Sequence, residues 1–437
     1  MQTSVVIPVW NGARFLPTCL DSLLAQQPTQ AGEALEVIVV DNASGDNSAD
    51  LVAQRYPQVR LIRNTQNQGF AGGCNRGIEA AQGALLVLLN QDTQVQPGWL
   101  TALTRAASAP LNGVVGCKIL YLDGKTLQHA GGWIDWPLGL SHHHGQGELD
   151  QGQWDQSRPV EFVTGAALAV RRAVLDKVGL LDEAFWPGYF EDADFCLRVK
   201  AAGYAIDYCA DAVVFHQETS SWTDAQAVSS AYQRGRLRFI LKQTPPDRLL
   251  TRFIPAERAY QPAAIRGQES AALQTAYATV LAAVPSVIAT SWPTETTKLA
   301  QIIQAFQELY QNAWREEQAK LAEMMAGVMI GWPQAAQLVD AGHGFAPNLT
   351  DIRFQSNAPI IGPLLTGLRR IGYSIAARWG IQHLRQQQEI INQQQALQIA
   401  FLRRQVDSLT AQNGMLASQL AQLQQEIRRI SRKPSGE

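Results

Sequence analysis

The first 120 residues alternate short β-branched runs with longer amphipathic stretches, and this alternation restricts the fold more than any other feature of the chain. Apolar runs at residues 4–9, 36–41, 59–62, 85–90 and 114–121 read as strands, with helical patterns at 16–26, 48–55 and 74–81 between them. Strands separated by helices need crossover connections, so the sequence predicts an α/β fold with a mostly parallel sheet covered on both faces. Such sheets bind nucleotides and other ligands beyond the carboxyl ends of their strands, so the polar residues that follow each strand carry the functional argument.

Beyond that half-domain the pattern changes. Residues 128–158 are rich in Gly, His, Trp and Asp and read as an irregular loop. A strand at 162–170, helices at 172–178 and 192–202, and strands at 205–209 and 212–216 follow, and the first domain is expected to span residues 1–240. Residues 241–357 read as a helical domain punctuated by proline, 358–390 as an amphipathic linker helix and 391–432 as a coiled coil. In the last segment Ile399, Val406, Asn413, Leu420 and Ile427 occupy one core position of a heptad, and Leu402, Leu409, Leu416, Leu423 and Ile430 the other. A lone Asn in such a seam favours a parallel two-stranded homodimer in fixed register. The alternative is an amphipathic helix folded onto its own domain.

Charge narrows the partners. With 36 Lys and Arg against 38 Asp and Glu, no overall field points to nucleic acid. The five cysteines lack CxxC spacing and are expected as free thiols in a reducing cytosol. The first residues carry no targeting pattern, which supports a cytoplasmic expectation. The uncharged stretch at 270–294 is diluted by Gln274, Tyr277 and Pro285 and reads as a buried helix rather than a membrane span.

Three strand ends, one loop and one helix start offer chemistry. The second strand ends in Asp41-Asn42-Ala43-Ser44, where a carboxylate could accept hydrogen bonds from a pyrimidine N–H or a ribose hydroxyl, or simply make a turn or cap. The glycine-rich loop at 64–75 would let backbone approach a ligand. The fourth strand delivers Asn90-Gln91-Asp92. Asp92 is placed to bind Mg²⁺ or Mn²⁺, hard cations that offset diphosphate charge, or to cap the next helix. Glu191, Asp192 and Asp194 crowd one helix start beside aromatic residues. Mutual repulsion should raise at least one of their pKa values, as suits a base for an acceptor hydroxyl; capping accounts for one acid of the three. His216 ends a strand and reads as structural or as a ligand. Trp133, Trp136, His142, His143 and His144 lie in the irregular loop and receive no role.

Taken in order, Val5-Val6-Ile7-Pro8-Val9-Trp10-Asn11-Gly12, Val40-Asp41-Asn42-Ala43-Ser44, Asn67-Gln68-Gly69-Phe70-Ala71, Leu88-Leu89-Asn90-Gln91-Asp92, Thr164-Gly165-Ala166, Phe190-Glu191-Asp192-Ala193-Asp194 and Phe215-His216 resemble the family 2 glycosyltransferases, in particular their bacterial rhamnosyltransferase-like branch. The resemblance covers residues 1–240. It implies a GT-A type nucleotide-binding domain and inverting transfer of a sugar, with rhamnose the first guess, from a nucleotide-sugar donor to a glycan or lipid-linked glycan acceptor. It also implies that Pro8, Asn11 and Asp41 contact the nucleotide, that Asn67, Gly69 and Asn75 line the donor site, and that Asp92 and His216 bind the metal. Asp192, with Glu191 beside it, would be the catalytic base. The family's metal motif commonly carries two or three acids; here Asn90 offers only a neutral oxygen. That departure leaves room for a non-catalytic scaffold that assembles glycan enzymes through the coiled coil. Residues 359–388 resemble a stretch near the C-termini of bacterial surface-polysaccharide enzymes. With Arg369, Arg370 and Arg378 beside apolar residues, the stretch suits peripheral contact with an anionic membrane, or docking onto the protein's own domain.

Overall fold

The computed structural model describes residues 2–26, 34–217, 225–265, 270–292 and 294–328. The linker helix, the heptad seam with Asn413 and the end of the helical region lie outside the described residues.

All five runs expected as strands in the first 120 residues are strands: β1 (Thr3–Val9), β2 (Leu35–Asp41), β3 (Arg60–Arg63), β4 (Leu85–Leu89) and, after the short β5 (Thr93–Val95), β6 (Asn112–Leu120). Between them run α1 (Leu16–Leu24), α2 (Ser48–Arg55), α3 (Gly69–Ala80) and α4 (Trp99–Ala107). The chain continues through β7 (Leu127–His129), β8 (Gly132–Asp135), β9 (Leu140–His143), β10 (Arg158–Pro159), β11 (Ala167–Arg171), α5 (Arg172–Val178), α6 (Glu191–Ala201) and β12 (Ala205–His216). It then turns helical: α7 (Ala225–Gln243), α8 (Pro246–Arg248), α9 (Ile254–Ala264), α10 (Ser270–Ser291) and α11 (Thr296–Val328).

The main sheet runs β10-β12-β6-β11-β4-β1-β2-β3. Pairs β3–β2, β2–β1, β1–β4 and β6–β12 are parallel, whereas β11 is antiparallel to both its neighbours, β4 and β6. Because β11 is reversed, its amino end, Thr164–Ala166, meets the edge at which the parallel strands present their carboxyl ends. The bond from Asn90 N to Ala166 O (2.9 Å) joins the two there. Successive residues of the apolar strands face opposite cores, so the strands read as continuous hydrophobic runs. Val5, Ile7, Val37, Val39 and Val87 pack with α1, α2 and α4. Val6, Ile38, Val40, Leu86 and Leu168 share the other core with α3, α6 and residues of α7, α10 and α11. Helix α7 runs through residue 240 and contributes Leu237, Phe239, Ile240 and Leu241 to that core.

Several expectations change in detail. The loop expected at 64–75 gives way to helix at Gly69, because the glycines serve close packing. A Cβ on Gly73 would lie 2.6 Å from Asn42 Nδ2 and 3.0 Å from Pro8 Cβ. The irregular stretch at 128–158 contains β8 and β9, a separate hairpin, and β10, on the main-sheet edge; these strands have two to four residues, too few to show a period. Helix α4 is an addition, although its buried Trp99, Leu100, Leu103 and Ala107 follow helical spacing. The strand at 162–170 is formed only from Ala167, and the two strands at 205–216 are one, with a register irregularity between Cys209 and Val213. All five cysteines are buried and free. Within α10, Ala271–Ser291 is long and apolar enough to cross a membrane, and 44% of its most apolar window is buried. Its Leu273, Tyr277, Val280, Val284 and Ile288 enter the core.

Candidate active site

The strand ends meet through a lattice of side-chain to backbone hydrogen bonds. Gln91 holds the turn after β1: its Oε1 accepts from Trp10 N (3.0 Å) and its Nε2 donates to Trp10 O (3.2 Å). Asn11, at φ +51°, gives its N–H to Ser44 Oγ (3.0 Å) and accepts from Gly45 N (2.8 Å), tying this turn to the one after β2. Asn67 accepts from Gly69 N at 2.8 Å, and Gly69 O accepts from Asn42 Nδ2 at 2.9 Å. Gly69 has φ +73° and abuts Trp186 and Pro187, where a Cβ would lie 2.7 Å from Trp186 Cδ1. Asn75 clamps α3 to the segment before Glu183: its amide donates to Leu181 O and Glu183 Oε1 (2.9 Å each) and accepts from Leu181 N (3.1 Å). Pro8 is buried in β1 beneath α3. Asp41 differs from all of these. It is 5% exposed, its Oδ2 accepts weakly from Ser44 N (3.3 Å), and its Oδ1 is buried without a partner.

At the neighbouring strand ends, Asp92 and His216 meet. Their Oδ1 and Nε2 are 3.2 Å apart, with side-chain exposures of 7% and 10%. His216 Nδ1 lies 2.7 Å from Gln128 Oε1, an acceptor, so that nitrogen carries the ring proton. In a neutral ring Nε2 would then turn a lone pair toward the Asp92 carboxylate. Two electron-rich groups at that separation repel unless a cation or proton lies between them. Asn90 Nδ2 sits 3.2 Å from the same Nε2, and half a turn of its amide would present oxygen instead. A carboxylate, an imidazole and an amide oxygen suit a hard divalent cation, with Mn²⁺ tolerating the nitrogen donor better than Mg²⁺. Among the described residues no group of three or more His, Cys, Asp or Glu could hold a metal, so donor oxygens would have to complete the shell. A cleft of about 300 Å³ opens beside Asp92, lined by Arg14, Phe15, Thr18, Thr93, Gln94 and Gln217 among others.

The acidic cluster at α6 divides its labour. Asp194 is fully buried and neutralised, bonded to Arg198 Nε (3.0 Å), Lys242 Nζ (2.9 Å) and Gln243 Nε2 (2.8 Å). Glu191 is 5% exposed and its Oε2 has no partner. Burial, reinforced by the Asp192 charge, pushes its pKa well above the carboxylate range, so it is held as the neutral acid. Asp192 is half-buried and accepts from Gly165 N (2.8 Å) and Ala193 N (2.7 Å). Burial raises its pKa above the ordinary value, and these N–H groups, the His143 charge and the Thr164 hydroxyl oppose that rise. An ionised carboxylate of raised basicity is what proton abstraction needs. Tyr189 and Phe190, at φ +77° and +72°, set the helix start in a conformation that costs non-glycine residues about 1–3 kcal/mol each. The Asn90–Ala166 bond links the halves: Asp92 lies two residues beyond Asn90, and Asp192 is held by the residue before Ala166.

Residues 4–179 match Glycosyl transferase family 2. Over 228 residues the chain is 31% identical to the N-acetylglucosaminyl-diphospho-decaprenol L-rhamnosyltransferase of Mycobacterium tuberculosis, covering 46% of this chain and 73% of that protein. The chain belongs to glycosyltransferase family 2. The mixed, mostly parallel sheet is its GT-A like α/β fold. Two larger relatives, each 31% identical and aligned over 50% of this chain, are an uncharacterized protein of Sinorhizobium fredii and the O-antigen biosynthesis protein RfbC of Myxococcus xanthus. The match spans only 24% and 18% of their respective lengths. Among solved structures, the mannosyltransferase PcManGT from Pyrobaculum calidifontis in complex with GDP-Man and Mn2+ aligns at TM-score 0.41 and 20% identity, over 71% of this chain and 86% of that one. S. aureus TarS 1–349 in complex with UDP aligns at TM-score 0.41 and 15% identity, over 72% and 92%.

Within this family 2 domain, three contributions went unread in the sequence. Gln91 and Gln128 secure Trp10 and His216, yet a glutamine beside a motif carries no signature of its partner. Thr164-Gly165-Ala166 was visible as matching text, but its role as the cradle of Asp192 depends on the reversal of β11.

Proposed function

We propose that this protein is an inverting glycosyltransferase that moves a sugar from a nucleoside-diphosphate donor to a hydroxyl of a glycan or lipid-linked glycan. The observation that carries the reading is the Gly165-held Asp192 carboxylate on the edge where Asp92 and His216 face each other. In this reading Asp41 Oδ1 accepts a hydrogen bond from the donor's base or ribose. Asp92 and His216, with Asn90, hold Mn²⁺ or Mg²⁺, which neutralises diphosphate charge when bound. Asp192 takes the proton of the acceptor hydroxyl as its oxygen attacks the anomeric carbon. The anomeric C–O bond to the diphosphate breaks, and the nucleoside diphosphate leaves with the electron pair. Glu191, held neutral, adds no second negative charge beside the base.

Rhamnose is the first donor sugar to assay, because a relative at 31% identity bears a rhamnosyltransferase name. A cytosolic location suits five free thiols, and the Asn413 heptad seam supports a parallel homodimer, with residues 358–390 as a peripheral membrane contact. The scaffold alternative is not favoured: Asp192, Asp92 and His216 are all present and gathered on one edge.

The test is Asp192→Asn, measured by nucleoside-diphosphate release and by calorimetric nucleotide binding. Transfer should fall at least about 100-fold, as for loss of a general base, while nucleotide affinity is kept. Normal turnover would remove Asp192 from the mechanism. Chelation should suppress the wild-type enzyme, and full activity in chelator would reject the Asp92–His216 cation site.

A further inference from the structure

Two tryptophans stand open beside the helix start that carries Asp192: Trp186 is 50% exposed and Trp136 is 42% exposed. Singly exposed apolar side chains are common on protein surfaces, but these two are fixed in place. The indole Nε1–H of Trp136 donates to Glu161 Oε1 (3.2 Å), and the other oxygen of Glu161 accepts from Ile134 N (3.0 Å). Phe239 of α7 backs the ring at 5.8 Å, with 30° between the two planes. Trp186 is held from the same helix. Arg234 donates to its backbone carbonyl and sets a guanidinium 5.7 Å from its ring centroid, while the ring edge rests against Gly69.

Both rings are joined to the base by short steps. Phe239 lies 5.3 Å from Phe190, which stands two residues before Asp192. The hairpin that carries Trp136 is bonded to the stretch leading into β11, Gly132 N to Phe162 O at 2.9 Å, and Gly165 of that stretch donates to Asp192 at 2.8 Å. On the other flank, Pro187 O accepts from Phe70 N (2.8 Å). A Cβ on Gly165 would lie 2.9 Å from Phe70 Cε1 and 3.7 Å from Asp192 Cβ, so Phe70 and the base pack against the same glycine. Trp186 therefore borders the base more closely than Trp136 does. Their anchors, Arg234 and Phe239, are five residues apart on α7, about 7.5 Å along the helix and more than one pyranose ring spans.

One face of a sugar ring is a surface of C–H groups that packs on the electron-rich face of an indole, and its hydroxyls take polar partners at the rim. Glu161 beside Trp136 is an acceptor of that kind. In-line attack puts the acceptor opposite the departing diphosphate, hence on the Asp192 side rather than at Asp92 and His216. We propose that Trp186 and Trp136 are stacking platforms for two successive sugar units of the acceptor, with Trp186 nearer the base, so that the acceptor is an oligosaccharide rather than a single sugar. The proposal rests on the reading of Asp192 as the base, and it deepens that reading by naming the class of acceptor.

The test presents the full chain to an array of bacterial surface monosaccharides, disaccharides and longer glycans, followed by calorimetry on the best-bound oligosaccharide. That oligosaccharide should bind at least about 10-fold more tightly than its monosaccharide unit, and Trp136→Ala and Trp186→Ala should each weaken it by about 10-fold, the worth of one stacking contact. Trp136→Phe and Trp186→Phe, which keep an aromatic face, should recover most of the affinity. Retention of no oligosaccharide, equal affinity for the monosaccharide, undiminished binding by the alanine variants, or phenylalanine variants no better than alanine overturns the proposal. Binding to phosphatidylglycerol vesicles in place of glycans, lost with the same two rings, assigns them to a lipid surface and overturns it as well. Asp192→Asn should leave the glycan affinity in place. An Asp192→Asn enzyme that still turns over overturns the base reading, while glycan affinity and its dependence on the two tryptophans are measured independently of turnover.

Discussion

The substitution Gln91→Glu changes one atom type in the motif after β4 and adds an acid between Asn90 and Asp92. Gln91 is 5% exposed and uses both halves of its amide on Trp10, accepting at 3.0 Å and donating at 3.2 Å. An ionised glutamate in its place keeps the first bond but turns a carboxylate oxygen toward the Trp10 carbonyl. The lost hydrogen bond costs about 1 kcal/mol, and leaving two buried acceptors facing each other adds about 2 kcal/mol more. A penalty near 3 kcal/mol corresponds to a folded-state pKa raised by about 2 units above the free value of about 4.3. The sign follows from that direction. The protonated form of the new side chain regains a donor, so the penalty is absent below about pH 4.3, grows as pH rises, and is complete above about pH 6.5. Thermal melts of the full chain against wild type should show a gap that widens over this window to roughly 4 °C. Because position 91 faces Trp10, divalent-cation affinity should not rise with the added acid. A Tm gap that does not change with pH, or tighter cation binding, would refute the argument that this position serves the first turn.

Asp182 accepts from Arg238 (2.9 Å) and Lys242 (2.8 Å) and joins α7 to the segment before α6. Burial alone would raise its pKa, but Lys242, Arg238 and the Ala184 N–H bring it to about 2 from 3.8. That contribution, about 2 kcal/mol, is complete above the ordinary carboxylate range and lost as pH falls toward 2. Denaturant midpoints of Asp182→Asn should therefore lie below wild type at neutral pH and converge with it in acid. Asp41→Ala should weaken nucleotide binding by about 10- to 100-fold, the worth of a hydrogen bond to a charged group, with only a small fall in Tm, since Oδ1 has no partner to lose and Oδ2 gives up only the 3.3 Å bond from Ser44 N. Glu257→Gln should destabilise by about 3–5 kcal/mol in urea melts, because Arg236 is fully buried and Glu257 is its counter-ion.

The sheet was legible because strands buried on both faces are nearly pure apolar runs, and Val37 to Val40 could hardly be anything else. The hairpin β8–β9 was illegible for the opposite reason: four residues of mixed polarity, with Trp133 outward and Ile134 inward, do not rise above loop composition. Glycine misled at the start of α3, where absence of a side chain serves a tight approach to Pro8 rather than a flexible loop. In the site, residues at strand ends were found where the topology puts them. The asparagines were harder. Asn11, Asn67 and Asn75 each spend side-chain bonds on neighbouring protein groups, and a sequence cannot distinguish an amide that binds a ligand from one that builds the wall around it.

The acidic cluster shows why the remaining step needs three dimensions. Glu191, Asp192 and Asp194 share one stretch of chain, yet their charges are set by groups distant in sequence. Asp194 is answered by Lys242 and Gln243, about fifty residues later, and Asp192 by Gly165, twenty-seven residues earlier. Glu191 receives no donor at Oε2. Repulsion among three adjacent acids requires that at least one give up its charge, and the sequence states only that requirement. The fold sets how the three differ: burial pushes Glu191, with Oε2 unpartnered, well up, Asp194 is spent on its two cations, and the upward shift of Asp192 is opposed by backbone N–H groups. The charge pattern at this helix start therefore depends on α7 as well as α6, because Lys242 and Gln243 join Arg198 in answering the buried Asp194.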